Sequence, residues 1–473
     1  MNNDRSRGIR ALAPISRRLI LSGLVGAGAS LLAACAGTLG GAIGGTTPPY
    51  AGSATPGPIL GLIPRPAAPP PTPTPEPIKL RFAHWETGAA AQTLDALAQR
   101  FSAASSGVIV ETSATTFADH FARLLTGRAA GMPPDIFVNS GVFFDRLLKA
   151  QIIRDLAGNV TADGFSLDAY WTDPLSQMVN GHLYALPFWG ACDLLYYNRD
   201  WFAQKKVGEP AADWTWDQLL AAARQLSEGK PGAMSRWGIL VVNDLQGGWG
   251  SFVASNGGDW LDPSGKQVIL GAAPAQEALQ WVVDAIVVHQ VAPSAIEQQQ
   301  ISQAGSVDPF LDGQVAMIVN GTWEMPNALT GAHFQWDVQQ IPRAPRTGQS
   351  VATTSVQPIS TARASVYPDQ GWSFLKFALG TAAQTLLAKD KIKLPVRKDV
   401  VNTAGVGYVI VPPAHAGVAF DAMEHGHDLH FVPRWQEFRT AVVRALDPAF
   451  AGSQPLVDAL KTAVSAGNAA LAG

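Results

Sequence analysis

The chain has 473 residues, of which only 15% are charged, and its formal net charge is −3. This length is sufficient for two or three domains and a large buried core. The absence of excess positive charge disfavours a nucleic-acid-binding protein. The two cysteines, Cys35 and Cys192, exclude a disulfide framework and a four-thiolate metal site.

Residues 1–35 have the pattern of an export signal. Five arginines precede residue 19, and the uncharged segment 19–34 leads into Leu-Ala-Ala-Cys, which ends at Cys35. The apolar segment is shorter than the roughly 20 residues that span a bilayer. Its ending resembles the bacterial lipobox, which implies cleavage before Cys35 and attachment of a lipid to it. Residues 16–21 also resemble a twin-arginine signal, so the export route stays open. The resemblance implies a lipid-anchored protein at the outer face of the cytoplasmic membrane.

Residues 36–77 are predicted to form a disordered tether. They contain 12 of the 34 prolines and only two charges, Arg65 and Glu76. Glycine makes the first half flexible, whereas the proline-rich second half favours a stiff, extended spacer. Once the signal and tether are set apart, residues 78–473 carry 28 basic and 35 acidic residues, a net charge of −7.

Strand and helix patterns alternate from residue 78 onward. Residues 78–84 alternate with period two, which predicts a strand, and apolar residues 94, 97, 98 and 101 share one face of a helix. Short buried strands are predicted at 108–110 and 136–138. Thr215 and Gln218 form a capping-box pattern at the start of a helix. A further helix is predicted around 278–286, and a strand at 315–319. This alternation favours an α/β fold with mostly parallel sheets, in two lobes.

The order of short sequence signatures resembles one family. In chain order the signatures are residues 84–86 (His-Trp-Glu), 134–137 (Pro-Asp-Ile-Phe), 180–187 (Asn-Gly-His-Leu-Tyr-Ala-Leu-Pro), 195–202 (Leu-Tyr-Tyr-Asn-Arg-Asp-Trp-Phe), 214–219, 255–259, 310–323 and 394–397. Together they resemble the sugar-binding, maltose-binding-protein-like family 1 of extracellular solute-binding proteins of ABC importers. The match runs from residue 78 to about 400 and is loose over 401–473.

The resemblance implies a periplasmic-binding-protein-like α/β fold, with two α/β lobes joined by hinge strands. The first lobe is expected at 78–188 with 342–380, and the second at 189–341 with 381–473. The protein is then expected to act as a monomer that captures a mono- or oligosaccharide in the cleft between the lobes. It would deliver this sugar to the transmembrane subunits of a permease, without catalysis, cofactor or metal.

Aromatic rings suit the apolar face of a pyranose, while carboxylates, amides and arginine suit its hydroxyls. Loops in the matching region contain such residues close together. Five tryptophans in helical context (171, 201, 214, 281 and 372) are interpreted as structural. The predicted ligand-binding residues are Trp85, Glu86, Asn139, Ser140, Phe143, Trp189, Trp249, Asn256, Asp259, Asn320, Trp323, Glu324 and Arg397.

Two other classes of function stay open. A lipid-anchored glycoside hydrolase would need two carboxylates across a cleft, for which Glu86 and Glu324 are the candidates. The solute of a binding protein could also be something other than a sugar. His425, His427 and His430 form a cluster without a known metal-ligand spacing, and Cys192 lies among apolar residues that predict a buried, inert thiol.

Overall fold

The structure, a computed structural model, describes residues 76–127, 133–172, 180–230, 233–303, 308–389, 393–401 and 413–473. The predicted signal, the lipidation of Cys35 and nearly all of the tether therefore lie outside the described residues. The described strands are β1 (Ile78–His84), β2 (Val108–Ala114), β3 (Ile136–Val138), β4 (Leu186–Asn198), β5 (Glu228–Lys230), β6 (Ala233–Arg236), β7 (Met317–Gly321), β8 (Trp336–Gln339), β9 (Thr353–Thr361), β10 (Leu394–Pro395) and β11 (His427–Asp428).

Helices lie between and after these strands. They are α1 (Gly88–Ala104), α2 (Phe117–Gly127), α3 (Gly141–Lys149), α4 (Ala157–Asp163), α5 (Arg199–Lys205), α6 (Trp216–Leu226), α7 (Gly250–Ser255), α8 (Ala273–Val287), α9 (Ala295–Gln303), α10 (Met325–Gly331), α11 (Pro368–Ala378), α12 (Thr381–Lys389), α13 (Lys398–Val401), α14 (Val418–His425), α15 (Trp435–Phe450) and α16 (Leu456–Ala472). In the part of the chain that is described, no helix combines the length and hydrophobicity needed to cross a membrane.

Most of the predicted elements are confirmed. The strand at 78–84 is β1, the apolar face of α1 is buried, and α6 begins with the complete capping box of Thr215 and Gln218. The strand predicted at 315–319 is displaced, because β7 begins at Met317 and continues through Gly321. Asn320 and Gly321, which resemble a turn in sequence, pair with β4 and so extend the strand.

The sheet is mixed, so the expectation of mostly parallel strands is wrong. β1 pairs in parallel with β2 and β3, but β9 pairs antiparallel with β3 and β4. β4 pairs antiparallel with β10 through its first half and with β7 and β8 through its second half. The cause is that β4 and β9 are long strands that run in opposite directions through the middle of the molecule.

All 13 residues of β4 are buried, as its nearly continuous apolar sequence predicts. The strand connects two groups of packed apolar side chains. The first core consists of two clusters that both pack against Trp85, one with Leu80, Phe82 and Leu97 and the other with Phe121 and Leu147. The second core contains Trp201, Phe252, Leu279 and Phe438, among other residues. Leu186 belongs to the first core and Leu195 to the second, so β4 passes from one to the other.

Candidate functional site

A cavity of about 350 Å³ lies between elements of the two cores. Its wall on the side of the first core comes from α2 and α3, and its other wall comes from α15 and the loop before α7. The lining residues are Phe117, Ala118, Val142, Phe143, Leu245, Gln246, Trp435, Gln436 and Arg439. Aromatic rings and amides thus face the same space, whose volume falls within the range of about 300–1,000 Å³ usual for ligand pockets.

The loop of residues 243–249, called the cavity loop below, presents Leu245 and Gln246 to this space. It is held against α15 at two points. The Asp244 carboxylate accepts hydrogen bonds from Nε of Arg439 at 2.8 Å and from Nη2 of the same guanidinium. Asn243 donates to Oδ1 of Asp447 at 2.9 Å. The carboxylate therefore compensates the charge of Arg439 as a bidentate partner, and the ion pair adds no net charge to the cavity wall.

Polar groups continue from the cavity along β9. Nε2 of Gln246 donates to Oγ of Ser355 at 3.1 Å, and Nε2 of Gln357 donates to the same oxygen at 3.4 Å. The Oε1 atoms of Gln357 and Gln436 are buried and have no hydrogen-bond partner among the described residues. A ligand hydroxyl would reach the Gln436 oxygen only after this side chain moves, because the oxygen has almost no accessible surface.

Several predicted ligand-binding residues lie at or beside the cavity. Phe143 is in its wall, where its ring stacks on Phe121 with centroids 4.2 Å apart. Trp85 packs edge-on against Phe117, at 5.2 Å between centroids, and is backed by Trp189 at 6.0 Å. Phe143 is therefore the only one of the thirteen in the wall of this cavity, and Trp85 belongs to the aromatic cluster behind it.

Trp323 and Asn320 contact the cavity loop at Gly247. This glycine has a φ of +70°, and a Cβ added to it would lie 3.2 Å from Cζ2 of Trp323 and 3.1 Å from Oδ1 of Asn320. Glycine is needed here for both its conformation and its small size. The half-buried indole of Trp323 also covers Gly321 at the end of β7. Both predicted residues thus support the loop next to Gln246.

Glu86 is paired within the protein. Its Oε1 lies 2.9 Å from Nζ of Lys393, and both side chains are about nine-tenths buried. The Lys393 ammonium also lies 5.2 Å from the ring centroid of Trp189. Lys393 precedes β10, so this ion pair connects the loop after β1 to a segment paired with β4.

Glu324 is buried in a different environment. It is 6% exposed, and its Oε2 accepts a hydrogen bond from Nδ2 of Asn320 at 3.4 Å. Burial raises the pKa of Glu324 to about 8, and the neighbouring carboxylate of Asp308 acts in the same direction. Its carboxyl group is thus largely protonated at neutral pH.

Three predicted polar residues have partners of their own. Asn139 is fully buried, and its Oδ1 accepts from the backbone N–H of Ser140. Ser140 is the N-cap of α3, with Oγ accepting from the N–H of Val142. Asn256 is also buried and donates to Oε2 of Glu277 at 3.1 Å. These contacts give each residue a structural role.

The remaining three predicted residues lie apart from the cavity lining. Trp249 is fully buried at the end of the cavity loop. Oδ2 of Asp259 lies 3.2 Å from Nε2 of His427. Arg397 donates to both carboxylate oxygens of Asp399, at 2.8 and 3.0 Å. Among the described residues, His, Cys, Asp and Glu side chains form no group of three that could hold a metal ion.

The sequence prediction omitted the other eight residues of the cavity wall, among them Phe117, Gln246, Gln436 and Arg439. Gln246 precedes Gly247-Gly248, a turn signal that could have drawn attention to the loop. Gln436 and Arg439 lie in the C-terminal region where the sequence resemblance is loose, and α15 reaches the cavity only through the tertiary fold.

The fold is that of two-lobed solute-binding proteins. An ABC substrate-binding protein from Listeria monocytogenes, solved in complex with cycloalternan, superposes with a TM-score of 0.73 at 21% identity, covering 84% of this chain and 100% of that one. A cyclic α-maltosyl-1,6-maltose binding protein from Arthrobacter globiformis superposes with a TM-score of 0.70 at 20% identity, covering 84% of this chain and 99% of that one. The maltose/maltodextrin-binding domain from Bdellovibrio bacteriovorus, bound to maltotriose, superposes with a TM-score of 0.68 at 16% identity, covering 84% of this chain and 100% of that one.

The model of the bacterial extracellular solute-binding protein family matches residues 85–385. This chain belongs to that family. The match spans both cores and includes β4, β9 and the cavity loop, and it stops before α15, which supplies three residues of the cavity wall.

Proposed function

We propose that this protein captures a neutral sugar in the cavity between its two cores and delivers it to the permease of an ABC importer. The observation that carries the proposal is the cavity wall itself. Phe117, Phe143 and Trp435 supply aromatic surface, and Gln246 and Gln436 supply amides. A pyranose offers apolar C–H faces and a rim of hydroxyls, and this combination of rings and amides can satisfy both.

Charge argues for a neutral solute. Arg439 is the cationic residue in the cavity wall among those described, and Asp244 already occupies its guanidinium. An anionic solute would compete with that bidentate pair, whereas a sugar hydroxyl can add to it without breaking it. Sugars are also the ligands named for the structures similar to this one, among them cycloalternan, maltotriose, mannotriose and maltose.

The mechanism we infer is closure of the two lobes on the solute. The strands β4 and β9 join these lobes. Ligand that contacts both walls stabilises the closed arrangement by its differential affinity. Packing leads us to place Ala383, Leu387 and Val396 with the first lobe, since they belong to its core, and Ala344 and Ala352 with the second. The first lobe would then comprise about 78–188 with about 356–387 and Val396, whereas Ala388 and Leu394 pack in the second core.

The remaining elements of the proposal concern location and partners. The family is extracellular, and a lipid on Cys35 would hold a monomer at the outer face of the membrane on its 36–77 tether. The permease would bind the closed form. We infer that the protein itself catalyses no reaction: Glu86, one of the two carboxylates that a hydrolase would need, is engaged by Lys393.

Tryptophan fluorescence of the full chain, titrated with maltose, maltotriose, mannotriose and cycloalternan, tests the proposal when it is paired with an assay for newly released reducing ends. We expect saturable quenching or enhancement with at least one sugar and no product. Release of reducing ends at catalytic rates would instead support the hydrolase, and no response to any sugar would contradict sugar capture.

A further inference from the structure

Asp193 lies at the point where β4 changes its pairing partner. Cys192, the residue before it, pairs with Thr354 of β9, whereas Asp193 itself pairs with Gly321 of β7. The Asp193 side chain is completely buried. A single carboxylate therefore occupies the place where this strand passes from the first core to the second.

Three segments of the chain donate hydrogen bonds to this carboxylate. The backbone N–H of Gly247, in the cavity loop, lies 2.9 and 3.0 Å from its two oxygens. The hydroxyl of Ser251 in α7 donates to Oδ2 at 2.9 Å, and the hydroxyl of Thr353, at the start of β9, donates to the same oxygen. Ser251 also accepts from the backbone N–H of Thr353 at 2.9 Å, which closes the network.

Other titratable groups lie on the neighbouring elements. Cys192 adjoins Asp193 on β4, and Asp244 lies in the cavity loop with Arg439 of α15 as its partner. The backbone of β11, which carries His427 and Asp428, pairs with Thr353 and Thr354 of β9. Burial raises the pKa of Asp193 to about 7, in spite of the hydrogen bonds that favour its ionised form. The group therefore changes protonation close to neutral pH.

We propose that Asp193 is a positioning residue for solute binding, which fastens the cavity loop to β9 and so fixes Leu245 and Gln246 in the cavity wall. The inference rests on the proposed function, because it takes this cavity as the solute site. All three groups around the carboxylate donate hydrogen bonds, and such bonds are stronger to an ionised acceptor than to a neutral one. The loop is thus held more firmly above pH 7 than below it, and a firmly held loop lowers the ordering cost of binding.

The first arm of the test measures affinity in the full chain for whichever of maltose, maltotriose, mannotriose and cycloalternan binds most tightly. We expect Asp193→Asn to weaken binding about tenfold at pH 8. Wild-type affinity should fall about threefold between pH 8 and pH 6, while the variant shows a flat profile. Asp135→Asn is the matched control, since Asp135 is a buried aspartate of the first core that also accepts from a hydroxyl and a backbone N–H. It should retain wild-type affinity and pH dependence.

The second arm needs no ligand and measures amide hydrogen exchange at Gly247. Exchange at Gly247 should be faster than in the wild type in Asp193→Asn. It should also be faster in Thr353→Val, which removes one hydrogen-bond donor and keeps the carboxylate. Asp135→Asn should exchange at the wild-type rate. If no sugar binds the wild type, the proposed function fails, while Gly247 exchange still decides whether Asp193 holds the loop. Unchanged exchange at Gly247, or an affinity loss that Asp135→Asn reproduces, would overturn the inference.

Discussion

The indole of Trp323 covers Gly247 and thereby supports the loop that carries Gln246. We expect Trp323→Ala to weaken sugar binding at least tenfold, or by about 1.4 kcal/mol, because the loop loses its packing surface beside the cavity. Isothermal titration calorimetry would measure this effect, and circular dichroism would show whether the fold is intact. Trp214→Ala, a half-buried tryptophan that packs on Phe202 in the second core, is the control and should leave affinity unchanged. Equal losses in both variants would argue against a local role for Trp323.

A second prediction at this scale concerns Glu324, whose pKa is raised to about 8 in the folded protein from an ordinary value of 4.5. Between these two pH values the folded state binds more protons than the unfolded state. The free energy of unfolding therefore falls as pH rises from about 4.5 to about 8. Glu324→Gln removes this titration. The free energy of unfolding of the wild type should therefore fall relative to that of the variant as pH rises, by at most about 1.4 kcal/mol per pH unit.

Urea denaturation at pH 5 and pH 8.5 measures this difference for Glu324. Glu437→Gln, at an exposed position of α15, is the control. A difference in the free energy of unfolding between wild type and Glu324→Gln that is the same at both pH values would show that the buried carboxyl group does not titrate between them.

The residue scale is also where sequence reasoning reached least far. Asn139 and Ser140 have the side chains that a sugar site needs, but the same groups bond to nearby backbone N–H groups at the start of α3. Amide and hydroxyl chemistry alone does not distinguish a cap from a ligand contact. The role of each predicted ligand-binding residue stays a prediction until binding is measured.

At the scale of elements, the helix α6 is a case in which the sequence was sufficient. Thr215 accepts from the N–H of Gln218, whose side chain accepts from the N–H of Thr215, as the spacing predicted. Both halves of this interaction are local, so no tertiary information is needed. By contrast, β7 extends to Gly321 because β4 offers a partner there, and that partner lies far away in the chain.

We expect Thr215→Ala to lower the free energy of unfolding by about 1 kcal/mol, since α6 loses its N-cap. Sugar affinity should not change, because Thr215 is not part of the cavity wall. Chemical denaturation and a binding titration on the same sample measure both quantities. Thr215→Ser retains the capping hydroxyl, so its free energy of unfolding should stay close to that of the wild type. A decrease as large as that of Thr215→Ala would mean that the threonine methyl group, rather than the cap, provides the stability.

For the whole molecule, the sequence signatures predicted the family and the α/β fold, and both are confirmed. The antiparallel pairing of β4 with β9, and the approach of α15 to α2 and α3 across the cavity, were not predicted. Both depend on segments that are distant in sequence, for which local periodicity carries no signal. Three residues of the cavity wall, Trp435, Gln436 and Arg439, come from that unpredicted approach.

Sugar capture is the central claim, and a thermal-shift screen of the full chain against mono- and oligosaccharides tests it most directly. A ligand that binds only the folded state stabilises it by about 2.7 kcal/mol at a hundred times its dissociation constant. We predict that at least one sugar raises the melting temperature in a concentration-dependent manner, and that Trp323→Ala reduces this shift. A melting temperature that no sugar changes, while an anionic or metal solute raises it, would contradict the claim.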